Sequence, residues 1–164
     1  MVDPHACPVD LYLVQHGEAA SEEQDPSRPL TDLGRRQVSR VARALAAAGI
    51  APAGIYHSGK LRAEQTARIL AEALHPGLVP SRMQGLAPMD EPAAAARAIA
   101  AFAAPVMLVG HLPHLSRLCS RLVTGDPGRE IVAFHNGGVV CLAPRADEGW
   151  ALRWIVTPDV APDQ

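Results

Sequence analysis

Short apolar runs and amphipathic stretches alternate along this chain. Leu11–Val14 is an apolar run that ends at a glycine-containing turn, which is typical of a buried strand. Thr31 suits a helix N-cap, and the apolar residues from Val38 to Leu45 recur at helical spacing before Gly49 ends the pattern. The pattern predicts a strand followed by a helix that packs through one face.

The same alternation continues to the end of the chain. Further strands are predicted at 54–57, near 78–80, at 105–109, 139–142 and 151–156, and further helices at about 61–74, 92–103 and 113–123. Strands separated by such helices indicate a largely parallel sheet covered on both faces. We therefore expect one α/β domain over residues 1–164, with a frayed tail at 157–164.

Composition narrows the functional class. The 164 residues carry a formal net charge of -2, which leaves no global field to hold nucleic acid or an anionic membrane. Cys7, Cys119 and Cys141 lack Cys-x-x-Cys spacing, which argues against a zinc ribbon or a disulfide framework. Neither a signal peptide nor a membrane-spanning run is indicated, so we expect a cytoplasmic protein of open oligomeric state.

Three polar segments stand where predicted strands end: His16 with its neighbours, Ser58 to Arg62, and His111. Ligands of parallel sheets bind at the carboxyl ends of the strands. Two imidazoles, a guanidinium and a helix N-terminus would form a phosphate pocket. One imidazole could attack phosphorus and form a phosphohistidine, while the second stays protonated and stabilises the phosphate oxygens.

Other roles for the histidines are open at this point. A metal site built from His57, His111, His114 and His135 would lack the carboxylate and cysteine partners, and the helical spacing, of common zinc sites. We therefore expect no metal and no cofactor. His114 and His135, together with Asn136, either line the rim of the pocket or serve only the fold.

Four ordered motifs carry a family resemblance: LYLVQHGEA, RPLTDLG, SGKLRAEQTA and VGHLPHLSRL. From Leu11 to about Val156 the chain resembles the phosphoglycerate mutase-like histidine phosphatase superfamily, and specifically its small SixA-type phosphohistidine phosphatases. The resemblance implies a three-layer α/β/α sandwich with a mostly parallel central sheet, no metal, and a covalent phosphohistidine intermediate.

The motifs imply roles residue by residue. His16 matches the nucleophile of the family's Arg-His-Gly, and Arg62 matches the arginine of its Arg-Ala-x-Gln-Thr segment. His111 matches the second histidine of a Gly-His pair. Gly17 lets the backbone turn closely around a bound phosphate. Arg28 either matches an arginine near the pocket or is a surface residue beside a helix start.

Two departures from the family pattern lower the expected activity. Gln15 stands where the family has an arginine, which replaces a fixed cation by a neutral amide and costs about ten- to a hundredfold in phosphate binding or rate. Gly59 stands where the family has proline, which loosens the loop before Arg62. Lys60, the single lysine, either supplies the missing positive charge or points into solvent.

The general acid has two candidates. Asp90 lies between the second and third predicted strands of the pocket, but it directly precedes a helix start and could instead be an N-cap. Glu18 lies beside the nucleophile turn and could instead orient that loop. For phosphohistidine the leaving nitrogen can arrive protonated, so a dedicated acid is less necessary.

The leading hypothesis is a metal-independent phosphatase that acts on phosphohistidine, or a similar phosphorylated protein side chain, through His16. The alternative is a catalytically weak or inactive module that binds phosphate or a phosphoprotein. A sugar-phosphate mutase is disfavoured, because no segment is long enough to form the insertion that encloses small substrates in relatives.

Overall fold

The computed structural model of the chain describes residues 9–147 and 149–163, and within them it contains six strands and four helices. The strands are β1 (Leu11–Gln15), β2 (Gly54–His57), β3 (Ser81–Arg82), β4 (Val106–Gly110), β5 (Val139–Pro144) and β6 (Trp150–Val156). The helices are α1 (Asp32–Ala47), α2 (Leu61–Leu74), α3 (Pro92–Ala100) and α4 (His114–Thr124).

One sheet runs through the molecule in the order β3-β2-β4-β1-β5-β6. The pairs β3–β2, β2–β4 and β4–β1 are parallel, whereas β5 runs antiparallel to both β1 and β6. The predicted, mostly parallel sheet is thus confirmed. Because β1, β2 and β4 run in the same direction, the polar segments that follow them emerge at one edge of the sheet.

Helices cover both faces of the sheet. In β1, Tyr12 and Val14 join a core shared with α1 and α2, while Leu11 and Leu13 join a second core shared with α3 and α4. This division follows from the alternation of side chains along a strand. The result is the three-layer α/β/α sandwich that the sequence predicts.

The first helix begins and ends where its sequence signals stand. The Oγ1 atom of Thr31 accepts a hydrogen bond from the Gly34 N–H at 2.9 Å, which caps α1. Gly49 adopts a φ of 77°, which favours glycine and turns the chain away after the helix. The predicted bounds of α2 also agree with the structure.

The largest differences from the predicted bounds occur in β3 and α3. The third strand lies at Ser81–Arg82 rather than near 78–80, and because both of its residues are exposed, no apolar pattern marks it. The third helix ends at Ala100 rather than 103, with Ala101 as its C-cap. The run of alanines that continues past this end contains no residue that stops a helical pattern.

The prediction of a frayed tail is wrong for residues 157–163, whereas Gln164 lies outside the described residues. Ala161 is buried, and its carbonyl oxygen accepts a hydrogen bond from Nε of Arg40 at 2.7 Å. Arg40 also forms an ion pair with Asp163 at 3.3 Å. These contacts with α1 hold the segment against the protein, although its polar, proline-containing composition resembles that of a loose end.

Cys119 and Cys141 are free and buried, each on a different face of the sheet. Cys7 and the rest of residues 1–8 lie outside the described residues, so the predictions made for them are not tested. In the ranges that the structure describes, no helix is both long and apolar enough to cross a membrane.

Candidate active site

His16 directly follows β1, at the edge where the parallel strands end. Its backbone N–H donates to the Gly110 carbonyl oxygen at 3.1 Å, which fixes it beside the end of β4. Its Nδ1 atom lies 2.7 Å from the Gly17 carbonyl oxygen, which can only accept, so Nδ1 carries the proton. The lone pair on Nε2 is then available for attack on phosphorus.

Burial also keeps this imidazole neutral. Burial lowers the pKa of His16 from 6.5 to about 4, and the positive charges of Arg62 and Arg28 act in the same direction against the hydrogen bond to Gly17. A group with a pKa this low is unprotonated at neutral pH. His16 therefore has the tautomer and the charge state that a nucleophile requires.

His111 follows β4, and its ring centroid lies 4.9 Å from that of His16. Its Nε2 atom is 2.6 Å from Oγ of Ser58, while its buried Nδ1 has no hydrogen-bond partner among the described residues. Burial, followed by the charges of His16 and Arg62, lowers the pKa of His111 to about 3.

His111 is therefore neutral in the free pocket, in contrast to the expected imidazolium. The reason is that the pocket excludes water and already contains cationic groups, which both disfavour a further positive charge. A phosphate dianion placed between the rings would reverse this balance, because a nearby negative charge favours the protonated form.

Arg62 lies in the first turn of α2, close enough to the imidazole pair for its charge to lower the pKa of both rings. Its Nε atom is buried, without a hydrogen-bond partner among the described residues, and burial followed by the charge of Arg28 lowers the pKa of its guanidinium. The α2 N-cap residue, Lys60, provides no side-chain cap. Unpartnered donors at a helix N-terminus form a natural anion site.

Thr66 connects the nucleophile loop to the helix that carries Arg62. The Gly17 N–H donates to Oγ1 of Thr66 at 3.0 Å, and Oγ1 donates to the Arg62 carbonyl oxygen at 2.8 Å. The Gly17 N–H is thus not free for a phosphate, although Gly17 was predicted to line the phosphate pocket. What Gly17 provides is close packing, because a Cβ there would lie 2.8 Å from Cγ2 of Val38.

Glu18 is bound to the start of α1. Its Oε1 atom accepts a hydrogen bond from Oγ1 of Thr31 at 2.9 Å. A Cβ on Gly34 would lie 2.2 Å from the Glu18 carbonyl oxygen, so only glycine allows this approach of helix and loop. The contacts fit the alternative in which Glu18 orients the loop.

The Gln15 side chain is bound to Asn136. Its Nε2 atom donates to Oδ1 of Asn136 at 2.5 Å, and its side-chain Oε1 atom is buried without a hydrogen-bond partner among the described residues. The Gly137 N–H donates to the backbone carbonyl oxygen of Gln15 at 3.0 Å. The amide therefore joins β1 to the 135–138 loop, in which Asn136 is half-buried and His135 exposed.

Two further cations act on the pocket from its mouth. The charge of Arg28 lowers the pKa of both His16 and Arg62, and its Nε donates to the Ala20 carbonyl oxygen at 2.9 Å. Lys60 is exposed, and its charge is a smaller cause of the lowered pKa of His111. Both residues therefore lie close enough to the predicted phosphate pocket for their charges to act on its histidines.

Asp90 does not cap α3, so that alternative is wrong. Its Oδ2 atom accepts a hydrogen bond from the Ala87 N–H at 2.9 Å and closes a turn ahead of the helix. His114, expected either at the rim or in the fold, is fully buried at the start of α4. Burial lowers its pKa, while the charge of Asp90 acts in the opposite direction.

The histidines proposed as metal ligands do not form a cluster. Across residues 9–147 and 149–163, no group of three or more His, Cys, Asp or Glu side chains is placed to hold a metal ion.

Three residues near the site were not singled out from the sequence. Ser58 and Thr66 both belong to the third motif, so their positions carried a signal, but their partners did not. Arg82, at the end of β3, lies against Gly59, where a Cβ would be 2.7 Å from Nε of Arg82. It was missed because the strand was expected near 78–80.

Solved structures with very different substrates share this fold. A structure of the protein histidine phosphatase SixA in complex with tungstate superposes with a TM-score of 0.81, at 22% identity, over 92% of this chain and 97% of that one. A mycobacterial glucosyl-3-phosphoglycerate phosphatase complexed with VO3 superposes with a TM-score of 0.68 at 18% identity, over 88% of this chain and 98% of that one. A phosphoserine phosphatase mutant from Entamoeba histolytica, in complex with phosphoserine, superposes with a TM-score of 0.72 at 15% identity, over 91% of this chain and 97% of that one.

The sequence comparisons go beyond the fold. An uncharacterized protein of Picosynechococcus is 38% identical over 130 residues, which cover 75% of this chain and 78% of that protein. Residues 11–92, which hold the first three motifs, match the histidine phosphatase superfamily (branch 1). With its site and sheet arranged as described above, the chain belongs to the histidine phosphatase superfamily.

Proposed function

We propose that this protein is a phosphatase that hydrolyses phosphohistidine, or a similar phosphorylated protein side chain, through a covalent intermediate on His16. One observation carries the proposal. The neutral His16 ring lies 4.9 Å from that of His111, and the charge of Arg62, whose buried Nε has no partner among the described residues, acts on both rings. A nucleophile and unpartnered donors converge at one helix N-terminus, which is an arrangement suited to a phosphoryl group.

In the first step, Nε2 of His16 bonds to phosphorus while the bond from phosphorus to the substrate nitrogen breaks. The departing imidazole leaves neutral, because the ring nitrogen that does not carry the phosphoryl group arrives protonated. Arg62 and His111 face the phosphoryl oxygens and offset their negative charge. In the second step, a water oxygen bonds to phosphorus, the His16–phosphorus bond breaks, and inorganic phosphate and neutral His16 result.

A protein-borne phosphate fits the short connections around the pocket. Only residues 58–60 separate β2 from α2, and only residues 111–113 separate β4 from α4. No long insertion follows either strand to enclose a small substrate. The three phosphatases above differ in their named substrates, so the fold they share does not decide between a protein and a small molecule.

The two candidate acids remain part of the proposal with reduced roles. Asp90 accepts from the Ala87 N–H and Glu18 accepts from Thr31, so both carboxylates already have hydrogen-bond partners. Phosphohistidine, whose leaving nitrogen can be protonated on arrival, needs neither of them. This favours phosphoramidate bonds over alkyl phosphate esters as substrates.

Hydrolysis of a small phosphoramidate tests the proposal. We expect turnover by the wild type and a loss of at least about a thousandfold in His16→Ala, because the nucleophile is gone. His75→Ala is the matched control, since this exposed histidine lies at the C-terminal end of α2. Undiminished turnover in His16→Ala would overturn the proposal.

One observation favours a second candidate, a phosphate- or phosphoprotein-binding module of weak or no activity. Gln15 stands before the nucleophile without positive charge and donates to Asn136 instead. If this loss is decisive, vanadate will bind to the wild-type pocket while phosphoramidate turnover stays at the uncatalysed rate. Turnover that depends on His16 rejects the module.

A further inference from the structure

Helix α1 carries an unusual excess of positive charge. Its sequence, DLGRRQVSRVARALAA, contains four arginines and a single acidic residue, whereas the whole chain has a formal net charge of -2. Arg36 and Arg40 are spaced i, i+4, and like charges at this spacing destabilise a helix. Arg40 binds the C-terminal segment, whereas no ion pair among the described residues accounts for Arg35, Arg36 and Arg43.

The arginines line a large surface cleft of about 650 Å³ between α1 and the C-terminal segment. The charged residues of this arginine cleft are Arg35, Arg36, Arg40, Arg43, Asp159 and Asp163. Asp163 pairs with Arg40, and the Asp159 carboxylate accepts a hydrogen bond from Thr157. Among the described residues, no carboxylate pairs with the other three arginines.

The cleft lies next to the nucleophile loop. His135 lines the cleft, and the following residue, Asn136, binds Gln15 directly before His16. On the opposite side of α1, Gly34 and Val38 contact the backbone at Gly17. About one helix diameter, roughly 10 Å, therefore separates the arginine cleft from the loop that carries the nucleophile.

We propose that the arginine cleft binds an acidic segment of the phosphorylated protein while its phosphoryl group reaches His16. The inference rests on the proposed function and names the kind of partner. Guanidinium groups bind carboxylates through paired hydrogen bonds. Arg35, Arg36 and Arg43 offer this at an open cleft, and exposed Leu33 at its edge offers an apolar contact.

Two synthetic phosphohistidine peptides test the proposal, one flanked by glutamates and one by glycine and serine. We expect the wild type to favour the acidic peptide by about tenfold in kcat/KM, and less so at roughly 0.5 M salt. In R36E/R43E the preference falls below about twofold, while phosphoramidate turnover is unchanged.

The matched control is R97E/R121E, which makes the same charge change at exposed arginines of α3 and α4 on the opposite face. It should keep the preference of the wild type. Equal preference in R36E/R43E and in this control would overturn the proposal.

Binding of an unphosphorylated glutamate peptide, followed by fluorescence anisotropy, separates this inference from the proposed function. If the wild type hydrolyses nothing, the phosphatase proposal fails, yet weaker binding of the peptide to R36E/R43E than to the control still supports the cleft. Equal binding overturns it. If the wild type binds single-stranded RNA or phosphatidylserine vesicles more tightly than the glutamate peptide, and R36E/R43E loses that binding, the cleft belongs to a different partner. That result would overturn the proposal as well.

Discussion

The two walls of the pocket differ in charge. The cationic wall consists of Lys60, Arg62 and the N-terminus of α2, which has no side-chain cap, and it contains the buried Nε of Arg62, which has no hydrogen-bond partner among the described residues. The neutral wall consists of Gln15, Asn136 and Gly137, joined to one another by hydrogen bonds. A phosphate between them would meet the positive charge of α2 from one side, with Arg28 as a further cation that acts on His16 and Arg62, so its binding depends mainly on α2.

The surroundings of the two histidines also explain why both are uncharged. Burial, together with the smaller effect of nearby positive charges such as Arg62, keeps His16 and His111 uncharged in the free protein. The site thus presents a neutral nucleophile to a phosphate whose charge is offset mainly by Arg62. Substitutions at Arg62, Gln15 and Lys60 each change one wall and leave the other in place.

Removing the guanidinium from the cationic wall should have the largest effect. We expect Arg62→Ala to lower kcat/KM for phosphoramidate by about a hundredfold, because a charge-assisted hydrogen bond contributes roughly 1.5–3 kcal/mol and the helix contribution remains. Arg68→Ala, on the same helix but exposed and paired with Glu64, is the control and should change kcat/KM little. Similar losses in the two variants would mean that the walls do not differ as described.

Adding a cation to the neutral wall should have the next largest effect. Gln15→Arg can still donate to Oδ1 of Asn136 while it adds a positive charge, so we expect inorganic phosphate to bind about tenfold more tightly. Isothermal titration calorimetry measures this change. Gln24→Arg, in the exposed loop after β1, is the control for a change in net charge alone. Weaker phosphate binding in Gln15→Arg would show that this wall cannot accept the charge.

The neutral histidines predict an unusual pH profile. With a His16 pKa of about 4, kcat/KM for phosphoramidate, corrected for spontaneous hydrolysis, should be nearly flat from pH 7 to 5. An ordinary imidazole would lose about thirtyfold over this range. The free energy of unfolding should fall as pH drops from about 6.5 towards 4, because only the unfolded chain takes up these protons there. A thirtyfold loss of kcat/KM would contradict the burial of His16.

The smallest effect should come from the exposed end of the cationic wall. Because Lys60 is solvated and its charge acts on His111 only weakly, we expect Lys60→Ala to lower kcat/KM by only about two- to threefold at low salt. Arg121→Ala is the control. Unchanged activity in Lys60→Ala would remove Lys60 from the site altogether.

The sequence predicts the fold well where hydrophobic periodicity is strong. Helix α2 and strand β2 have the predicted bounds, and Thr31 caps α1 as expected. Prediction from the sequence fails where tertiary packing, rather than the hydrophobic pattern, decides the structure. The exposed strand β3 carries no apolar signal, and the tail at 157–163 packs through buried Ala161, which composition does not distinguish from loop alanines.

The site is predictable to the level of which residues meet, because strand ends and motifs mark His16, Arg62 and His111. The hydrogen bonds that set their states are not predictable, since they join residues far apart in the chain. The Gln15–Asn136 bond spans 121 positions, and the His111 contact with Ser58 spans 53. Burial, which decides the charge of both imidazoles, likewise appears only once the chain is folded.

The identity of the phosphorylated atom tests the central claim most directly. The wild type is mixed with phosphoramidate, quenched with base within one turnover, and examined by mass spectrometry and phosphorus NMR. Because Nδ1 of His16 is occupied by its hydrogen bond to Gly17, we predict a phosphoryl group on Nε2 of His16. A phosphoryl group on His111, on Nδ1 of His16, or rapid turnover with no phosphorylated histidine, would contradict this account.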